Sequence, residues 1–277
     1  MNGATRRSPR AGENPPPKST AHNELVTASP LKLRLAEIIA SDKSGRILGV
    51  LSRKRVRHHG LWIDVRSNDF SPRVRAQIFW GMYEGAETRM IRGLLRGSTC
   101  VVELGSSLGV TTAHVVDLMA PGGHLVCVEA NPHLVPGLCE RIRSRSATLQ
   151  VDIIHAAVTN HCGTTALTLS PQTASSRLVA AAPNEATVQV PALTLREILR
   201  RTGVAEFDLI SDIEGAETAF LLQDPGVLGG CRRAVIELHD TTVGSNKVSV
   251  YDLMQATVAA GFQLASRHGP VLALTRS

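Results

Sequence analysis

From Cys100 to the end of the chain, short apolar runs alternate with helical patterns, and this alternation limits the fold more than any other feature. The runs are CVVELG from Cys100, HLVCVEA from His124, VDIIHAAV from Val151, FDLISD from Phe207 and RAVIELH from Arg233. Between them, helical spacing predicts helices over 111–119, 133–144, 194–201, 215–222 and 248–260, the last closed by Gly261. Strands apolar at nearly every position must be buried on both faces, which calls for a mostly parallel sheet with helices on each side, a Rossmann-like α/β fold. FQLASRH and VLALTR flank Gly269-Pro270 and read as an antiparallel hairpin on the sheet edge, bringing the sheet to seven strands.

The region before Cys100 is different. Residues 1–29 carry Pro9, Pro15, Pro16 and Pro17 with few large apolar side chains, so they are expected to form a disordered basic tail. Residues 30–97 read as a helical and hairpin extension that caps the active site, with a helix from Pro30 to about Ser44 and a strand over 61–65. A helical stretch over 73–96 is broken near Gly81 or Gly85. The run Arg53 to His59 is expected to be a solvated face. Residues 98–277 form the main domain. The formal net charge of +6 divides unevenly, because residues 1–60 hold twelve Lys+Arg against four Asp+Glu and the remainder is slightly acidic. The basicity therefore belongs to the front of the chain and not to the domain that carries the chemistry. Nine aromatic residues (five Phe, two Trp, two Tyr) leave few platforms for stacked bases. Five scattered cysteines, none in a CxxC pair, read as buried small side chains, and no apolar stretch follows the basic N-terminus, so a reducing cytoplasm is expected.

Five strand ends carry candidate chemistry. The first strand runs through Glu103 into Gly105-Ser106-Ser107-Leu108-Gly109; Gly105 permits a sharp turn close to a ligand, and Gly109 permits the start of the next helix to pack tightly on the strand. Glu129 ends the second strand about 20 residues on, where a carboxylate accepts hydrogen bonds from both ribose hydroxyls. The dinucleotide pattern G-x-G-x-x-G is absent, and neither tyrosine heads a Tyr-x-x-x-Lys pair, which argues against a nicotinamide enzyme. A sulfonium cofactor, S-adenosylmethionine, suits an acidic strand end better. Ala130, His155 and Ala156 stand where an adenine would lie. The string Ser211-Asp212-Ile213-Glu214-Gly215-Ala216-Glu217 and the neighbouring Glu237-Leu238-His239-Asp240 deliver several ionisable groups to the same sheet edge.

These motifs resemble those of the FkbM-type methyltransferases over roughly residues 60–277. The resemblance rests on E-L-G-x-x-x-G from Glu103, Glu129, Ala156-Ala157-Val158, Val190-Pro191-Ala192-Leu193-Thr194-Leu195, the Asp212-to-Glu217 box and Ile236-to-His239, with Tyr83-Glu84 ahead of the first helix. It implies the class I methyltransferase fold, S-adenosylmethionine as donor and a hydroxyl acceptor on a sugar, glycolipid or secondary metabolite. The chain departs from the family where Ser211 stands in place of a lysine, removing a cation beside the acids.

On this reading Glu103, Gly105, Ser107, Gly109, Glu129, Ala130, His155, Ala156 and Asp212 surround the cofactor. Tyr83, Glu84, Glu214 and Asp240 face the acceptor, and His239 acts as general base oriented by Asp212 or Glu237. A magnesium ion held by Asp212, Glu237 and His239, as in catechol-type enzymes, is the alternative, and a catalytically silent binding domain is another. No nucleic-acid partner is expected: no Pro-Cys nucleophile occurs, and the fourth strand lacks the Asn/Asp-Pro-Pro-aromatic string of base-amino methylation. Peripheral membrane contact through the basic front and a homodimer are further expectations. Acceptor specificity is expected in residues 45–90, 163–190 and 240–247.

Overall fold

The computed structural model describes residues 55–169, 176–177 and 186–276. The expected tail over 1–29 and the helix from Pro30 lie outside the described residues. The main sheet has the order β14-β15-β11-β10-β3-β4-β5. These strands are β3 (Cys100–Leu104), β4 (His124–Glu129), β5 (Gln150–His155), β10 (Phe207–Ser211), β11 (Cys231–Glu237), β14 (Phe262–His268) and β15 (Val271–Arg276). From β5 to β11 the pairs are parallel, while β15 lies antiparallel to both β11 and β14. The C-terminal hairpin thus inserts its second strand next to β11 and leaves β14 at the edge. The chain order reverses between β3 and β10, and ligands bind in the crevice opened there at the carboxyl ends of the strands.

Each face of the sheet is covered. On one side, Ile198 of α5 (Leu195–Thr202), Phe220 of α6 (Thr218–Leu221) and Leu253 of α7 (Val250–Ala259) pack on Val102, Leu209 and Ile236. On the other, Ile91 of α2 (Gly85–Leu94), Val115 of α3 (Val110–Leu118) and Leu138 of α4 (Val135–Arg143) pack on Val101, Leu125 and Ile210. Neighbouring strand residues face opposite sides, so Val101 and Val102 serve different layers. Local chemistry fixes several helix starts: Thr194 accepts from Glu197 N, and Ser249 and Asp252 form a reciprocal capping box.

Ahead of the sheet, β1 (Arg55–His58) and β2 (Leu61–Asp64) form a hairpin that packs with α1 (Pro72–Phe79) through Val56, Ile63, Val74 and Ile78. The charged run is therefore not simply a solvated face. It is a strand with Arg55 and Arg57 outward and Val56 and His58 buried, the period-two pattern of a half-buried strand. The break between the two helices falls at 80–84, leaving Tyr83 and Glu84 in a loop.

Three further expectations change. The VDIIHAAV run splits at Ala156, and β6 (Ala157–Val158) leaves the main sheet to pair with β9 (Ala186–Leu193). The stretch 163–190 contains β7 (Gly163–Leu169), antiparallel to β9, and with β6 and β8 (Ser176–Arg177) they form a second sheet of four strands. The loop after His239 is a small hairpin, β12 (Thr241–Val243) with β13 (Asn246–Val248). Among the described residues, no helix is long and apolar enough to cross a membrane, and all five cysteines are free.

Candidate active site

The loops after β3 and β10 meet at the topological reversal. Gly105 N donates to Val128 O, Asp212 N donates to Leu104 O, and a Cβ on Gly105 would sit 1.9 Å from the Asp212 carbonyl oxygen. Only glycine, here at φ +84°, permits this approach. Gly109, at φ +70°, has a different contact from the one expected: a Cβ there would press on Leu138 of α4, not on the strand. Over these loops opens a cavity of about 260 Å³, walled by Val74 and Gln77 of α1, Tyr83, Glu84, the glycine turn, the ends of β4 and β5, Leu167 of the second sheet, and Asp212 to Glu214.

One half of the cavity suits a nucleoside. Glu129 is 5% exposed; its Oε2 accepts from Ser107 N and its Oε1 from Asn131 N, both at 2.7 Å. Each oxygen keeps a second lone pair, enough for two neighbouring hydroxyls. Burial raises its pKa, while the N–H groups of Asn131 and Ser107 work against that shift. Ala130, Ala156, Ala157, Val158 and Leu167 supply small apolar walls of the kind a flat ring needs. His155 does not line the cavity; its Nε2 donates to the Ala130 carbonyl and holds that turn in place. Glu103 lies beneath the glycine turn, 1% exposed, accepting from Thr112, Ser106 and the Cys127 thiol. Burial nonetheless pushes it up to about 7.

The other half gathers carboxylates. Glu84 (φ +45°) accepts a hydrogen bond from Thr111, and burial pushes it up to about 8. Asp212 is raised to about 7, by burial first, with His239 pulling it down and Glu214 and Glu87 pushing it further up. Its Oδ1 is buried without a hydrogen-bond partner. Glu237 is raised by burial and by the adjacent Glu87 carboxyl. Beneath them, a cleft of about 10 Å³ is lined by Glu84, Glu87, Glu103, Thr111, Ser211 and Asp212.

His239 lies behind this wall, not in the cavity. Its Nδ1 donates to Glu217 Oε1 at 3.1 Å, while Nε2 stands 3.8 Å from Asp212, Glu214 and Glu237. Glu217, not Asp212 or Glu237, therefore orients the ring. Burial opposes charge on the imidazole, but Glu217, Asp212 and Glu214 together raise its pKa, so the ring is cationic at neutral pH. Glu217 is wholly buried and also accepts from Ile213 N and Gly215 N, which ties the box to β11. The expected helix over 215–222 shortens to α6 because Glu214 and Gly215 take φ +54° and +101°. Asp240 turns away and accepts from Val250 N at the start of α7.

Sequence reasoning missed Glu87, which α2 brings to the cleft, and gave Glu217 no role of its own. Gln77 and Leu167 were also missed as lining residues. The signal for Glu87 and Gln77 was their helical spacing from Glu84 and Val74; that for Leu167 was the alternation in β7.

A parallel sheet of this order, with a glycine turn at its reversal and an acid set for a ribose, defines a class I S-adenosylmethionine-dependent methyltransferase. The chain belongs to the FkbM methyltransferase family, whose domain matches residues 100–264. No curated protein matches the chain. Among solved structures it is similar to an rRNA methylase from Streptococcus thermophilus, at 10% identity over 69% of this chain and 95% of that one, with a TM-score of 0.40. It is also similar to fibrillarin from Aeropyrum pernix with bound S-adenosylmethionine, at 14% identity over 69% and 72%, TM-score 0.39. A Rossmann-superfamily protein from Streptococcus agalactiae matches at 7% identity over 69% and 68%, TM-score 0.41. At these scores the likenesses carry no argument about what this chain acts on.

Proposed function

We propose that the enzyme methylates a hydroxyl of a small molecule, of the sugar, glycolipid or secondary-metabolite class, with Asp212 as the group that takes the proton. The observation that carries this reading is the Asp212 carboxylate: it lines the cavity, while its buried Oδ1, without a hydrogen bond, faces a cationic His239 at 3.8 Å from behind. His239 is unsuited to the role of base, because both its nitrogens face carboxylates and its Nδ1 proton is held by Glu217. When bound, S-adenosylmethionine would supply an electrophilic methyl group on a sulfonium, with a neutral thioether as its leaving group. Glu129 would hold the ribose, and Ala156, Ala157, Val158 and Leu167 would wall the adenine. Asp212 would accept the hydroxyl proton, and the cavity walls would hold the acceptor oxygen in line.

Asp212→Asn tests the assignment. It is expected to lower kcat by about 10²–10³-fold, with S-adenosylhomocysteine affinity little changed in calorimetry. Retention of turnover would remove Asp212 from this role.

A second reading has one observation behind it: Asp212, Glu214 and His239 offer ligand atoms that all lie within 4.8 Å of one another. A divalent ion there would make the enzyme metal-assisted, and imidazole with two carboxylates suits manganese better than magnesium. Activity that survives exhaustive chelation rejects this version.

A further inference from the structure

The acidic groups around the cavity, whose charge burial disfavours, outnumber the cations that face them. Glu84, Glu129, Asp212 and Glu214 line it, Glu87 and Glu103 line the cleft beneath, and Glu237 stands just behind. Among the described residues no Lys or Arg lines either space, and His239 is the one nearby cation that faces these acids. Some of this charge is accounted for within the protein. Glu129 is held by two backbone N–H groups, and Glu103 by Ser106, Thr112 and Cys127. Glu84 has the hydroxyls of Thr111 and Tyr83, and Glu214 has His239 at 3.8 Å.

A second observation points the same way. Ser211, 1% exposed, lines the cleft with an Oγ that has no hydrogen-bond partner, and Asp212 Oδ1 has none either, its charged neighbour being His239 Nε2 at 3.8 Å. A buried hydroxyl and a buried carboxylate oxygen left without donors are costly unless a ligand supplies those donors. The cofactor brings one net positive charge, its amino and carboxyl groups cancelling. That leaves the acceptor side acidic. A phosphorylated or carboxylated acceptor would meet repulsion and find no cation to pair with.

We propose that the acceptor is itself cationic: a hydroxyl compound that carries an ammonium group, of the amino-sugar class, recognised by Glu84 and Glu214. The proposal rests on the hydroxyl-methylation reading and adds the charge of the molecule that bears the hydroxyl. An ammonium offers three donors, which suits a wall of acceptors better than a neutral alcohol does. It also lets the acids ionise, so that Asp212 is free to take a proton.

The test is calorimetric titration of the full chain saturated with S-adenosylhomocysteine, using glucosamine, ethanolamine, glucose, glucose 6-phosphate and manganese chloride as separate probes. Both ammonium compounds are expected to bind at least about tenfold tighter than glucose, and glucose 6-phosphate is expected to give no binding heat. Glu214→Gln is expected to weaken the ammonium compounds about fivefold and to leave S-adenosylhomocysteine affinity unchanged. Equal affinity for glucose and glucosamine overturns the proposal, as does tighter binding of the phosphate or no ammonium binding at millimolar concentration. Manganese binding that abolishes the preference for ammonium also overturns it, since the missing charge is then a metal. Product analysis separates the two readings: O-methylation of neutral alcohols alone keeps the hydroxyl reading and rejects this one, whereas methylation at nitrogen or carbon rejects the hydroxyl reading.

Discussion

Where β10 and β11 begin, Asp208 is fully buried, yet its carboxylate is matched on every side. Arg233 donates to it from Nε at 3.0 Å and Nη2 at 2.5 Å, and Ser98 adds a hydroxyl at 2.7 Å. At the same edge His124, at the start of β4, pairs with Asp152 of β5 at 2.7 Å. Where the same strands end, Asp212, Glu214, Glu217 and Glu237 share a single histidine. The first edge carries charge that the fold has neutralised. The second carries more carboxyls than it has cations to pair with them, and perturbed acids of this kind collect where a ligand binds.

Breaking each edge should therefore have opposite results. Asp208→Asn leaves Arg233 without its partner beneath the sheet, and is expected to cost about 3 kcal/mol of stability in urea denaturation with kcat unchanged. This contrasts with Asp212→Asn, which should remove activity and leave stability intact or raised. A variant at Asp208 that lowered kcat while leaving stability alone would erase the distinction between the edges.

Glu217→Gln sharpens the picture of the acidic edge. It keeps the side chain's shape but replaces a charged acceptor for His239 Nδ1 with a neutral one, so the ring loses part of its support for charge. A fall in kcat of about tenfold is expected, with a shifted pH–rate profile. An unchanged profile would show that Glu217 only holds the loop.

The protein without ligand should also respond to pH in an uncommon direction. Glu84 and Glu103 have folded pKa values of about 8 and about 7, above the ordinary 4.5. The folded state thus binds their protons more tightly than the unfolded chain does. Their contribution is fully present below the ordinary value and is lost as pH rises through about 7 and then about 8. The melting temperature is expected to fall between pH 5 and pH 8, the two shifts together amounting to at most about 6 kcal/mol, by scanning calorimetry. Saturating cofactor should flatten the slope, and a rise in place of the fall would show that these acids are paired in solution. The smallest effect is expected at Asp240, whose removal in Asp240→Ala takes an acceptor from Val250 N. The loss should be about 1 kcal/mol, with no change in cofactor affinity.

Much of the main domain was legible in the sequence because its signals are local. Nearly continuous apolar runs marked β3, β4, β10 and β11 as buried on both faces, and Gly105 announced a turn that nothing larger could make. The second sheet was not legible, because β7 and β9 carry Thr, Gln and Pro among their apolar residues and read as irregular until they pair. The site was legible in part. Glu129, Asp212 and Glu214 were visible as strand-end acids, whereas His239 was given the wrong neighbour. Glu217 lies four residues beyond Ile213 in sequence, and nothing in that spacing shows that the loop folds back to put it under the imidazole.

The sequence by itself determined that acids would collect at one edge of a mostly parallel sheet, because strands of one direction end on one side and four of the five parallel strands carried a carboxylate at or next to that end. Only the tertiary structure decided which of them would lack a partner. That depends on the loop before α2 and α2 itself bringing Glu84 and Glu87 against β10 and β11, on Ser211 filling the wall without a cation, and on burial, which makes each unpaired charge expensive. Pairing and dielectric are properties of a volume, and residues from eight separate segments must meet before that volume exists.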